Sequence, residues 1–143
     1  MSDKKNNTYL SDTDYNFIYS AVPRICIDLI IKGKGGVFLT KRDIQPYKGN
    51  WHLAGGRIRF RETIYNAANR IAITELGCSV SIVKMIGFIE FHNECQDGNK
   101  RHSISMALIV NPLSDDYLRY GKFMKEGKIH PVQYKFLKIN KLI

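Results

Sequence analysis

The stretch "GGRIRFRETIYNAANRIAITELG", residues 55–77, constrains this chain more than any other. A glycine pair leads into a helical pattern over 62–76, and Gly77 stands where a C-terminal cap is expected. At about 100° per residue, Ile64, Ala68, Ile71 and Glu75 fall on one stripe, widened by Tyr65, Ala72 and Leu76. That pattern turns Glu75 inward. A desolvated carboxylate is costly unless it is protonated, paired with a cation or bound to a metal. A basic partner, a helix end that lets Glu75 reach water, and a metal all remain open on the stripe alone.

At 143 residues, with 44% hydrophobic and 24% charged positions, the chain is expected to form a single domain over 1–143. No apolar run approaches the roughly 18 residues needed to span a bilayer, and the opening "MSDKKNNTYLSDTD" lacks a hydrophobic signal core. A cytoplasmic location without a membrane partner is therefore expected. Cys26, Cys78 and Cys95 are odd in number and form no CxxC pair, so they read as reduced thiols. The balance of 22 basic to 13 acidic residues, a net +9, suits a polyanionic ligand. Nucleic acid is not the expected partner: there is no RNP-like motif, zinc finger or evident helix-turn-helix, and the lysines are scattered.

Residues 1–9 are polar and expected to be mobile, and 10–20 suit a short helix or an irregular arm. "RICIDLIIKGKGGVFLTKR" reads as two β-runs joined by a glycine-rich hairpin at 32–36, which lacks the GK[ST] ending of a P-loop. "DIQPYKGN" is a loop and "WHLAGG" a short strand into the glycine pair. "SVSIVKMIGFIEF" and "SISMALIV" follow as strands around a polar loop, "HNECQDGNKRH". A long connection holding "GKFMKEGKIHP" leads to a last strand, "VQYKFLKI". The order predicts a mixed α/β (α+β) domain with a dominant sheet and one secure helix. Asp28 interrupts the apolar run "ICIDLII", where alternation puts it on one face with Cys26 and Ile30. If that face is buried, Asp28 needs a partner.

The spacing of Gly56, Glu62, Arg70, Glu75 and Gly77 resembles the Nudix box, the loop-helix-loop signature of hydrolases acting on nucleoside diphosphates linked to another moiety. Ile71 and Thr74 stand where the usual box has glutamates, which reduces its carboxylate cluster to Glu75. The ending "RIAITELG" is similar to the narrower GDP-mannose mannosyl hydrolase branch. So are "LSDTDYNFIYSAVPRICIDLII" and "FLTKRDIQPYKGNWHLAGGR", and the likeness covers roughly residues 9–110, resuming at "YKFL" as the family's last strand.

The resemblance implies a Nudix-like mixed sheet between helices and Mg2+-dependent hydrolysis, with Mn2+ as a substitute metal. The substrate would be a nucleoside diphosphate sugar resembling GDP-mannose, and water would replace the nucleoside diphosphate at the anomeric carbon. Glu75 and the Gly55 carbonyl would hold the metal. Arg42 would stabilise the departing diphosphate, Arg57 would also bind substrate, and Arg70 could simply pair with Glu62. Asp28 would contact the sugar, while Tyr9, Leu10 and Tyr15 would form the arm that reaches the base. His130 falls at the place of the family's metal-binding glutamine and Pro131 at that of its catalytic histidine. Hence His130 is the candidate both for metal ligand and for general base, with His92 or His102 as substitutes. A conventional Nudix pyrophosphatase and a non-catalytic nucleotide-sugar-binding module are the alternatives. Because the chain ends soon after its predicted last strand, the family's C-terminal helix is expected to be largely missing. One sheet face would then be bare, to be covered by the amino-terminal arm or by the partner in a homodimer.

Overall fold

A computed structural model describes residues 10–43, 47–96 and 98–143. Tyr9 and the expected mobility of residues 1–9 lie outside the described residues. In chain order the elements are α1 (Asp12–Tyr19), β1 (Arg24–Ile30), β2 (Lys32–Gly33), β3 (Gly36–Lys41), β4 (Trp51–His52), β5 (Ala54–Arg57) and α2 (Ile64–Leu76). They continue with β6 (Val80–Gln96), β7 (Asn99–Pro112), a 3₁₀ turn (Asp116–Arg119), β8 (Gly121–Met124) and α3 (Pro131–Ile139).

Four strands form one mixed sheet in the order β5-β1-β7-β6, with β1 parallel to β7 and the other pairs antiparallel. A smaller sheet joins β2, β3 and β4, with β8 added to β3. The expected α+β class with a mixed sheet is observed. Because β1 is central and covered on both sides, its sequence runs almost continuously apolar. Ile27 and Leu29 face α2, together with Met106, Leu108 and Val110 of β7. On the opposite side Ile30 packs with Ala107 and Ile109, the smaller sheet's Val37 and Leu39, and Leu137 of α3.

Local chemistry sets the bounds of α2. The Thr63 side chain accepts a hydrogen bond from Asn66 N at 3.1 Å, and Gly77 ends the helix in the left-handed region at φ 70°. The buried arc is Ala67, Ala68, Ile71, Ala72 and Leu76. Ile64 and Tyr65, expected inside, are exposed, and the buried residues of α2 begin only at Ala67.

Three other expectations are corrected. The segment 132–139, read as a last strand, belongs to helix α3 (Pro131–Ile139): Pro131 suits its first position, and Gln133 and Leu137, four apart, are its buried residues. The alternation of Val132, Tyr134 and Phe136 imitated a strand. With α3 packed against the second core cluster, the sheet face expected to be bare is covered, and the reason given for a homodimer falls away. The polar stretch 92–102 is largely strand, because β6 and β7 continue as a ribbon past the core, where polar side chains replace apolar ones. Lastly, β8 emerges from the long connection, with Phe123 packed edge-on against Phe38 and Tyr117.

Candidate active site

A cavity of about 510 Å³ lies over the large sheet, with Glu75 near the end of α2 in its lining. Its floor comes from alternate residues of β1, Arg24, Cys26 and Asp28, and from Ser103 and Ser105 of β7, which pair with the first two. Gly55, Gly56 and Arg57 of β5 and Glu75 of α2 form one wall, and Arg42 and Asp43 after β3 form another. His130 and Gln133 enter from α3, and Glu94 from the β6–β7 ribbon. The cavity therefore gathers Tyr15, Asp28, Arg42, Gly55, Arg57, Glu75 and His130 of the expected set. Leu10 is not among its lining residues, and Tyr9 is outside the described ones.

Glu75 lies in the middle of the helical arc that packs inward, but in the last turn, next to the core residue Leu76, its side chain lines the cavity. Water still reaches it. Among the described residues no hydrogen bond or ion pair holds its carboxylate. Partial burial raises its pKa, and the negative charge of Asp43 raises it further. The expectation that Glu75 is buried among apolar side chains is thus replaced by a carboxylate facing a polar cavity, with a second acid nearby.

Asp28 is buried at 6% exposure on the cavity floor. Burial pushes its carboxyl up to about 7, against the opposing influence of Ser105 and Gln133. Gln133, itself 4% exposed, donates to Asp28 Oδ2 at 3.4 Å and accepts from Leu53 N at 2.9 Å. It ties α3 to β1 and to the strand pair around residue 53. Opposite Asp28 across the β1–β5 ladder is Gly55, where a Cβ would stand 2.3 Å from Asp28 Oδ1 and 2.6 Å from the Ile27 carbonyl. Only glycine fits there.

The arginines divide by role. Arg70 donates to both Glu62 oxygens, at 2.7 and 2.9 Å, and to the Arg57 carbonyl at 2.7 Å, so it locks the glycine loop to the helix. Burial would raise the Glu62 pKa, but the hydrogen bonds from Arg70 and from Arg59 N hold it below its ordinary value. Arg42 is half-buried at the cavity edge; burial lowers its pKa, opposed by the nearby Glu94 and Asp43. At the other end, Tyr15 lies between the guanidinium groups of Arg57, 5.5 Å from its ring centroid, and Arg101, at 5.3 Å. The Tyr15 hydroxyl accepts from Arg24 at 2.7 Å. The ring expected to reach the base is engaged by these cations.

His130, at the end of the long connection, is 5% exposed and caps α3. Its Nδ1 accepts from Val132 N at 3.2 Å, and its Nε2 lies 3.2 Å from Glu94 Oε1. Both ring nitrogens are engaged. His92 and His102 are outside this cavity, whereas His52, unforeseen from sequence, is within it. Burial, then the charge of Arg42, lowers the His52 pKa to about 4, so it is neutral at physiological pH. Asp43, Glu94 and Gln133 are further polar members unforeseen from sequence. The sequence signal for Glu94 was the Asp97-Gly98 pair, a hairpin turn signal inside the stretch read as a loop.

Residues 22–141 match the NUDIX domain family. The low-salt glycan biosynthesis protein Agl8 of Haloferax volcanii is 30% identical over 145 residues, covering 96% of this chain and 92% of its own length. An ADP-ribose pyrophosphatase of Methanocaldococcus jannaschii is 27% identical over 106 residues, which cover 74% of this chain and 60% of that protein. Among solved structures, a MutT NUDIX hydrolase from Burkholderia pseudomallei gives a TM-score of 0.60 at 18% identity, covering 85% of this chain and 98% of the other. A MutT protein from Methanosarcina mazei Go1 gives 0.64 at 14% identity, covering 85% and 95%. These two structures speak to the fold alone. The family match over 22–141 and the near full-length relative show that the chain belongs to the NUDIX domain family.

Proposed function

We propose that this protein is a Mg2+-dependent hydrolase of nucleoside diphosphate sugars that releases nucleoside diphosphate and free sugar by substitution at the anomeric carbon. One observation carries the choice. The box helix offers the cavity a single carboxylate, Glu75, while Ile71 is in the core and Thr74 lies outside the cavity. Among the described residues no group of three or more His, Cys, Asp or Glu is placed to hold a metal ion. Attack on phosphorus profits from several metals neutralising the reacting group. Anomeric substitution chiefly needs a stabilised leaving diphosphate.

The donor set suits one hard cation. Glu75 and Asp43 are close enough for the charge of one to raise the pKa of the other, a repulsion that a divalent ion relieves. These two carboxylates and the Gly55 carbonyl would hold Mg2+, or Mn2+ in its place. When bound, the ion would supply charge neutralisation to the diphosphate. Arg42 adds a planar guanidinium at the cavity edge, suited to two phosphate oxygens at once as negative charge develops there. Asp28, tethered by Gln133, faces the sugar end of the cavity in this reading. The glycan-biosynthesis name of the 30% relative supports a sugar-bearing substrate.

Conventional pyrophosphatase chemistry is the second reading, favoured by the ADP-ribose pyrophosphatase relative. Hydrolysis of GDP-mannose in 18O-water distinguishes the two. GDP with label in the mannose is expected; GMP with mannose 1-phosphate, labelled on a phosphate, would replace the first reading with the second.

A further inference from the structure

We propose that Glu94 is the general base that takes the proton from the attacking water, and that His130 is the positioning residue that aims it. The assignment rests on the hydrolase reading above. Three observations converge on it. First, Glu94 projects from the β6–β7 ribbon into the same cavity as Glu75 and Arg42, and only 16% of its side chain is exposed. Second, His130 has no nitrogen to offer a water: Nδ1 accepts from the Val132 amide at the start of α3, so the ring proton resides on Nε2, which donates toward Glu94 Oε1 at 3.2 Å. One carboxylate oxygen is thereby fixed, and the other is left for substrate. Third, the charge of Glu94 acts on Arg42, the group assigned to the departing diphosphate, so the carboxylate stands near the reacting bond.

The ring of His130 is itself held. Tyr47 packs edge-on at 4.5 Å and Phe91 at 5.4 Å, and the His130 amide donates to the Trp51 carbonyl at 2.8 Å. A carboxylate hydrogen-bonded to so constrained an imidazole loses little entropy on reaching its productive position. The charged and titratable groups facing Glu94 are His130 from α3, Arg42 from the segment after β3, and Arg101, its cross-strand neighbour on β7. In the reaction the water proton passes to the outer Glu94 oxygen and the water oxygen bonds to the anomeric carbon. The bond from that carbon to the diphosphate oxygen breaks, its electron pair leaving with the diphosphate.

The test compares the full-length wild type with Glu94→Gln and His130→Asn on GDP-mannose with Mg2+. Glu94→Gln should keep its melting temperature and its KM, lose roughly 100- to 10,000-fold in kcat, and lose the rise of kcat with pH that proton acceptance produces. His130→Asn retains a side-chain acceptor for the α3 cap; it should lose less in kcat and displace the midpoint of that rise. A Glu94→Gln enzyme within fivefold of wild type, or one whose substrate binding by calorimetry collapses together with its rate, overturns the base assignment. So does a His130→Asn enzyme more impaired than Glu94→Gln, which would make the imidazole the base. Wild-type products of GMP and mannose 1-phosphate would instead overturn the bond assignment and leave Glu94 as the base for attack on phosphorus.

Discussion

Glu75 and Arg42 share a cavity, and their substitutions are expected to fail differently. Glu75→Gln keeps a side chain of similar size in a turn that water reaches, so the fold should persist while Mg2+ affinity falls. Arg42→Ala should leave Mg2+ binding nearly intact and slow turnover by about 100-fold, the effect of losing a charge-stabilising contact worth about 3 kcal/mol. Calorimetric Mg2+ titration beside steady-state kinetics separates them, and equal Mg2+ affinity in all three proteins would exclude Glu75 as a ligand. Asp28 makes a prediction about pH. Its folded pKa of about 7 stands above the ordinary 3.8, so between those values the folded state binds more protons than the unfolded one. Stability should then decline as pH rises from about 4 to about 7, by an amount on the order of 4 kcal/mol, and level off above. Urea unfolding in EDTA at pH 4.5 and 7.5 should show this decline in wild type and a flatter profile in Asp28→Asn; parallel profiles would contradict it.

At the scale of the secondary-structure elements, Gly55 and Gly77 make different demands. Gly55 faces β1 so closely that an added methyl would press on the Ile27 carbonyl at 2.6 Å as well as on Asp28. Backbone cannot step aside without parting β1 from β5, so Gly55→Ala should cost about 1–3 kcal/mol and disturb the cavity wall. Gly77 has φ 70°, and a Cβ there would meet the edge of the Tyr120 ring at 2.8 Å, a side chain that can rotate. Its alanine variant pays mainly for the left-handed backbone, about 1–2 kcal/mol, and displaces only the Tyr120 ring in the cavity lining, leaving the Asp28 and Gly55 side of the cavity in place. Denaturant unfolding together with binding of GDP-mannose should therefore show both variants destabilised but only Gly55→Ala impaired in binding; normal binding by Gly55→Ala would contradict the role given to that close approach.

Across the whole molecule, ligand binding should be visible as stability. Any ligand that binds only the folded chain stabilises it by about 2.7 kcal/mol at 100 times its Kd. In a thermal-shift screen with Mg2+, nucleoside diphosphate sugars should raise the melting temperature by several degrees, and sugar 1-phosphates or free nucleosides much less. ADP-ribose belongs in the same screen, and the largest shift there would favour the pyrophosphatase reading. No helix among the described residues is long and apolar enough to cross a membrane.

The sequence by itself determined whatever depends on neighbours a few positions apart. The stripe that aims Glu75 follows from helical periodicity, the cap at Gly77 from glycine's freedom at positive φ, and the shared face of Cys26, Asp28 and Ile30 from strand alternation. The Arg70–Glu62 clamp was legible too, as one helix turn reaching back to its own loop. Tertiary structure decided the rest. Short alternating runs such as "VQYKFLKI" satisfy both periods, and only packing of Leu137 against β1 and β7 settled α3 as a helix. The ribbon carrying Glu94 is held by cross-strand pairing between polar segments, which leaves no apolar pattern to read. His130 meets Glu94 because α3 and that ribbon converge from distant parts of the chain, a contact encoded by the fit of the whole core and by no local spacing.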